Sequence, residues 1–224
     1  MKLRCLGSGS SGNCYILETT TEALIIEAGV RFKDVKIALD FDVGKVVGVL
    51  VSHIHKDHSA SAGDFEKIGI PVFKPYESDM ERQVRRYGNF VVKSFPLVHD
   101  VPCFGFLVVH PEMGRLLYAS DTEYIRYKFR GLNHIFVESN HDKNMLDESK
   151  PQYFHQITGH MEISTALDFL NANKSVELRN VILLHLSQEY SSESVFLKEA
   201  SKVTGVNCFI ANKGLEVVLN KAPF

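Results

Sequence analysis

The run Val46-Val47-Gly48-Val49-Leu50-Val51-Ser52-His53-Ile54-His55-Lys56-Asp57-His58 decides the architecture. Its first half is almost continuously apolar, as in a strand buried on both faces. Its second half brings together three of the chain's 10 histidines and one aspartate. Imidazole nitrogen and carboxylate oxygen suit zinc and neighbouring first-row metals. A loop leaving a buried strand has a fixed base, so His53 and His55 can turn to one side. Asp57 and His58, one turn further on, then address a second point. Two metal ions about 3.5–4 Å apart fit such a divided set. The competing reading, a solvated histidine-rich loop, does not account for so dense a cluster directly after a buried strand.

Working outward, strand-like segments are Met1 to Leu6, Cys14 to Glu18, Leu24 to Glu27, Val72-Phe73, Val91 to Phe95, Cys103 to Val109, Arg115 to Ala119, Ile135 to Glu138, Val181 to Leu184, Asn207 to Ala211 and Gly214 to Val218. Thr19-Thr20-Thr21 marks a hairpin turn. Apolar residues at three–four spacing predict helices over Lys33 to Leu39, Ser61 to Ile68, Glu77 to Tyr87, Ile163 to Asn171 and Ser192 to Val203, with Ser191 or Ser192 capping the last. This alternation gives an α/β or α+β chain, and residues 1–224 are expected to form one domain.

The formal net charge of -2 supplies no global attraction to nucleic acid, so a polyanionic substrate has to be held by local groups or by metal. The 4 cysteines, at Cys5, Cys14, Cys103 and Cys208, lack the short spacing of a zinc knuckle or a redox motif and are expected to be reduced core residues. No leader-like or membrane-length apolar run is present, which predicts a cytoplasmic protein without a membrane partner. Gly7 to Gly12 spells G-x-G-x-x-G, but strand-like Cys14-Tyr15-Ile16-Leu17 follows where a dinucleotide site needs a helix. Those glycines are assigned to a tight turn beside the metal ligands.

H-x-H-x-D-H after an apolar strand resembles the signature of the metallo-β-lactamase fold superfamily. The resemblance implies an α/β, four-layer αββα sandwich with two mixed sheets. It also implies further ligands downstream. His99 follows Phe95 to Val98, Asp121 follows the apolar run Leu116 to Ala119, and His185 follows Val181 to Leu184. By resemblance, His53, His55 and His99 hold one divalent ion, Asp57, His58 and His185 hold the other, and Asp121 bridges them; zinc or manganese is expected.

Gly7-Ser8-Gly9-Ser10-Ser11-Gly12-Asn13, Glu138-Ser139-Asn140-His141-Asp142, Gly159-His160-Met161-Glu162 and His185-Leu186-Ser187 narrow the likeness. Together they resemble the small bacterial exonuclease-like proteins of the YycJ type, on the phosphodiesterase side of the superfamily. That likeness implies a phosphodiesterase, foremost a nucleic-acid exonuclease, in which a metal-bound hydroxide attacks phosphorus. Asp57 would ligate metal and orient the nucleophile, and His160 would protonate the leaving oxygen. Ser11, Asn13, Asn140 and His160 would touch substrate. Partners would be nucleic acid ends or a small nucleotide, with a second copy of the chain, as a homodimer, a further candidate partner. Alternatives are a cyclic-nucleotide phosphodiesterase, a lactonase or thioesterase-type hydrolase, and a metal-binding protein without turnover. Arg82, Arg85 and Arg86, and the run Arg126, Lys128 and Arg130, are candidate phosphate contacts or simply solvated faces. The chain departs from the YycJ pattern at Glu27, where aspartate is usual, at Met161-Glu162, and at Gln188-Glu189-Tyr190.

Overall fold

The computed structural model describes residues 1–80, 82–147, 149 and 158–222. Its strands are β1 (Lys2–Gly7), β2 (Cys14–Glu18), β3 (Ala23–Ile26), β4 (Val46–Leu50), β5 (Val72–Phe73), β6 (Val84–Tyr87), β7 (Phe90–Pro96), β8 (Phe104–His110), β9 (Gly114–Ala119), β10 (His134–Glu138), β11 (Asn180–Leu184), β12 (Asn207–Ile210) and β13 (Glu216–Val218). The principal helices are α1 (Phe32–Ala38), α2 (Lys56–Ser59), α3 (Ala62–Lys67), α4 (Ile163–Asn173) and α5 (Glu193–Thr204). One sheet has 6 strands in the order β13-β1-β2-β3-β4-β5, and the other has 7 in the order β12-β11-β10-β9-β8-β7-β6.

The two-residue side-chain period distributes the strands' apolar residues over three packed interfaces. Tyr15, Leu17, Leu24, Ile26 and Leu50 of the first sheet meet Val92, Phe106, Tyr118, Phe136 and Ile182 of the second. The alternate residues Ile16, Ile25 and Val49 pack outward with Val35 of α1 and Phe65 of α3. On the other side Leu117, Ile135, Val137 and Val181 pack against Ala166 and Leu170 of α4 and Phe196 of α5. Helix, sheet, sheet, helix is therefore the layer order. Every residue of β2, β3, β10 and β11 is buried, which explains their apolar runs, interrupted only at strand ends by Glu18, His134, Glu138 and Asn180.

Strand direction places the site. β3 and β4 are parallel, and so are β9, β10 and β11. Their carboxyl ends consequently share one edge of the sandwich, where ligands gather in sheets of this kind. Phe104 N–H donates to the Ser52 carbonyl at 3.1 Å and links the two sheets there.

Three sequence expectations need correction. Glu77 to Tyr87 is not a helix. Val84–Tyr87 is the edge strand β6, paired antiparallel with β7 through a tight turn at Gly88, whose φ is 52°. Cross-strand pairing with an apolar neighbour overrides a weak helical period. Lys56–Ser59, expected as loop, forms one helical turn. Ser192 does occupy the N-cap of α5, but its side chain makes no capping bond.

Candidate metal centre

Five buried polar residues stand just past strand ends at the shared edge. Glu27 follows β3, Ser52 and His53 follow β4, Asp121 follows β9, and His185 follows β11. Glu27, Asp121 and His185 all adopt positive φ, at 65°, 52° and 55°. That conformation is unfavourable for residues other than glycine, and here it turns three chain ends so that their side chains converge.

The histidines are oriented from behind. Ser52 Oγ lies 2.9 Å from His53 Nδ1, leaving Nε2 buried with no hydrogen-bond partner. His58 Nδ1 lies 3.4 Å from Glu27 Oε1, and its Nε2 is 3.1 Å from Asp121 Oδ2 and 3.6 Å from Asp57 Oδ2. Glu138 Oε1 is 3.3 Å from His185 Nδ1, and His185 Nε2 is again buried without a partner. Asp121 lies between the groups: Oδ2 is 3.7 Å from His53 Nε2, and Oδ1 is 3.8 Å from His185 Nε2. His99 Nε2 comes within 3.4 Å of His55 Nδ1.

Candidate ligand atoms of His53, His55 and His99 lie within 4.8 Å of one another, and so do those of Asp57, His58, Asp121 and His185. Two donors each about 2.0–2.2 Å from one ion can be no more than about 4.3 Å apart. The 3.7 and 3.8 Å contacts of Asp121 satisfy that limit while being too long for hydrogen bonds. Orphaned buried imidazole nitrogens facing a carboxylate at such spacings are what a divalent cation would complete. The clusters are suited to divalent metal ions.

Burial and mutual charge shift the titratable groups of the centre in opposite directions. Burial, reinforced by neighbouring His58, pushes His53 down to about 2. Burial also disfavours a charged His58, but Asp121 and Glu27 outweigh it and raise that pKa well above the ordinary range. Asp121 is held well below the usual carboxylate range, because His185, His58 and His53 overcome the cost of burying it. Burial acts against a charged His160, yet Glu138 raises its pKa to about 9.

The catalytic candidates differ in setting. Asp57 is partly exposed at the turn of α2. His160 Nδ1 lies 2.7 Å from Glu138 Oε1, and its ring stacks on His185 with centroids 5.0 Å apart. Ser11, Asn140, His160, His185 and Tyr190 line a cleft of about 410 Å³. Asn140 also holds His185, donating to its carbonyl at 2.7 Å. Asn13 does not line that cleft. Its buried amide contacts the Gly9 and Asp57 carbonyls and His58 Nε2, so it clasps the glycine turn to α2. Gly29 completes the clasp: a Cβ there would lie 1.6 Å from the Asp57 carbonyl oxygen. Arg85 lies over Phe73 and bonds Gln83, and Arg86 borders a different cavity.

The sequence reading assigns Glu138 no role. Its signal is a carboxylate ending the apolar strand His134-Ile135-Phe136-Val137. Thr122 N–H donates to its Oε2 at 2.8 Å while Oε1 serves two histidines.

Comparison with known proteins agrees with this geometry. The model of the metallo-beta-lactamase superfamily matches residues 7–89. The chain has the metallo-beta-lactamase fold. Metallo-beta-lactamase-fold relatives match over nearly the whole chain. Exodeoxyribonuclease YycJ of Bacillus anthracis is 24% identical, covering 95% of this chain and 92% of its own. Exodeoxyribonuclease WalJ of Streptococcus pneumoniae is 23% identical, with 92% and 87% covered. Among solved structures, the metallo-beta-lactamase fold protein YhfI from Bacillus subtilis superposes with a TM-score of 0.69 at 17% identity, over 96% of this chain and 98% of that one. Human tRNase Z, short form, gives 0.63 at 15% identity, with 98% and 99% covered. No helix among the described residues is long and apolar enough to cross a membrane.

Proposed function

We propose that this chain is a metal-dependent phosphodiesterase acting on nucleic acid ends as an exonuclease. The observation that carries the reading is the Asp121 carboxylate set between two histidine groups, with the Glu138–His160 pair on the same edge. His53, His55 and His99 would hold one ion, Asp57, His58 and His185 a second, and Asp121 both. Zinc or manganese suits these nitrogen and oxygen donors. Such ions supply Lewis acidity toward a phosphoryl group and lower the pKa of water.

The remaining chemistry belongs to the chain. Asp57, in the single turn of α2, would accept a hydrogen bond from the attacking water and orient it. Glu138 fixes His160 through Nδ1, and the imidazole so held passes a proton to the departing oxygen. Ser11 and Asn140 border the cleft where the terminal nucleotide would lie. The names of the YycJ and WalJ relatives support deoxyribonucleic acid as the polymer.

The test is release of nitrophenol from bis-p-nitrophenyl phosphate with added Mn²⁺ or Zn²⁺, beside nitrocefin and a lactone. Turnover of the diester alone is expected. End-labelled DNA should then be shortened stepwise, with cyclic AMP left intact. Hydrolysis of only the lactone or nitrocefin, or of none of the three under any metal loading, overturns the reading.

A further inference from the structure

The segment leaving the centre after Asp121 runs Thr122-Glu123-Tyr124-Ile125-Arg126-Tyr127-Lys128-Phe129-Arg130. It pairs in neither sheet. Its burial alternates strictly from 123 to 130: odd positions are half-buried and even positions are exposed. The inward side chains Tyr127 and Phe129 pack on Phe95, with ring centroids 5.8 and 5.0 Å away. The outward ones are Tyr124, Arg126, Lys128 and Arg130, an aromatic face followed by three cations. None of these cations has an ion-pair partner among the described residues. Arg126 instead lies over the Tyr124 ring at 5.8 Å, and Arg82, also exposed, lies over Tyr127 at 4.9 Å.

The segment is anchored to the centre at its start. Glu123 N–H donates to the Val98 carbonyl at 3.2 Å, and Val98 N–H donates to Thr122 Oγ1 at 3.0 Å. The ladder therefore begins beside both His99 and Asp121. It is held at its far end by Phe129 N–H donating to Asn173 Oδ1 at 2.6 Å.

We propose that Tyr124, Arg126, Lys128 and Arg130, with Arg82 beside them, form a track for single-stranded nucleic acid leading away from the metal centre. Alternate residues of an extended chain stand about 7 Å apart, comparable with the phosphate-to-phosphate step of an extended polynucleotide strand. A base stacks on Tyr124 nearest the centre, and successive phosphates meet the three cations. Duplex is disfavoured because one ladder of this spacing follows one stretched backbone and offers its aromatic face to an unpaired base. The inference rests on the nucleic-acid reading above and specifies the form of the polymer.

The experiment is fluorescence anisotropy on the full-length protein as purified. The probe is a fluorescein-labelled phosphorothioate oligothymidylate, chosen to resist hydrolysis. The triple variant Arg126→Ala, Lys128→Ala, Arg130→Ala should bind about 10-fold more weakly at moderate salt. Its log–log salt slope should be shallower by about 2, since each single-strand phosphate contact contributes about 0.7. Tyr124→Ala should weaken binding about fivefold or more with the slope retained. Lys198→Ala with Lys202→Ala, on α5, is the charge control and should bind as the parent does. Circular dichroism confirms that each variant is folded, and Tyr124→Ala carries the test if the triple variant is not. Parent-like binding by the triple variant, an equal loss in the control, or equal affinity for duplex overturns the proposal. Binding is read without turnover, while diester hydrolysis by the parent tests the hydrolase reading, so either can fail alone.

Discussion

Glu138 supports two histidines from a position that the sequence does not mark. The metal-ligand candidates stand out in the sequence because the chemistry is local. His53 to His58 form one cluster, while Asp121 and His185 each follow an apolar strand. A lone glutamate ending a buried strand carries no such mark, since its partner His160 is 22 residues away. Nor does sequence show that Asn13 faces inward, because that depends on Gly29 meeting α2. Glu138 serves His160 and His185 together, so Glu138→Gln should lower kcat for a diester by about 10–100-fold. KM should change less, and the melting temperature should stay near that of the parent. An unaltered kcat would remove Glu138 from the account. Gly29→Ala should act differently. The new methyl would strike backbone at Asp57 and Asn13, which have no flexible end to yield. A loss of about 3 kcal/mol or more is expected in denaturant titration, together with poorer metal retention because Asp57 and His58 must shift. Full stability would mean the clasp is looser than its distances imply.

At the scale of elements, sequence pattern served buried segments better than edges. The stretches Ile135 to Val137 of β10 and Val181 to Leu184 of β11 are apolar because both sides are covered, and burial leaves little choice of residue. β6 is nearly all exposed, so its sequence Val84-Arg85-Arg86-Tyr87 carries no burial signal and only the turn and its partner β7 define it. Helix ends show the same division. The expected serine cap of α5 is not made, whereas Glu162 caps α4 by accepting from the N–H groups of Ser164 and Thr165 at 2.8 and 3.3 Å. That cap lies two residues from His160, the proposed proton donor, so the start of α4 sets the backbone next to it. Glu162→Ala should cost about 1 kcal/mol of stability and lower kcat more than KM. A stability loss without any change in kcat would separate the cap from the site.

Across the whole molecule, the parallel strands gather function at one end and leave the other to structure. β10 carries Glu138 at the site end and His134 at the opposite end, both fully buried. His134 Nδ1 lies 3.2 Å from the amide of Asn180 on the neighbouring strand β11. Burial, with Arg179 and the N-terminal amine nearby, pushes its pKa from 6.5 down to about 4. Above pH 6.5 the imidazole is neutral in both folded and unfolded chains, and its contribution is intact. As pH falls from 6.5 toward 4, the unfolded chain takes up a proton that the folded one refuses, so stability drains through that window and levels off below it. The shift corresponds to roughly 3 kcal/mol. His134→Asn places an amide oxygen near the position of Nδ1, so it keeps an acceptor for Asn180 while removing the titration. The variant should therefore be less stable than the parent at pH 7.5, from lost packing, yet lose less stability on acidification. Denaturant unfolding of both proteins at several pH values between 7.5 and 4 measures this directly. The centre's own histidines titrate alike in both, so they cancel in the difference. Parallel pH dependences for parent and variant would show that His134 is not the group that makes this sandwich acid-sensitive at its structural end.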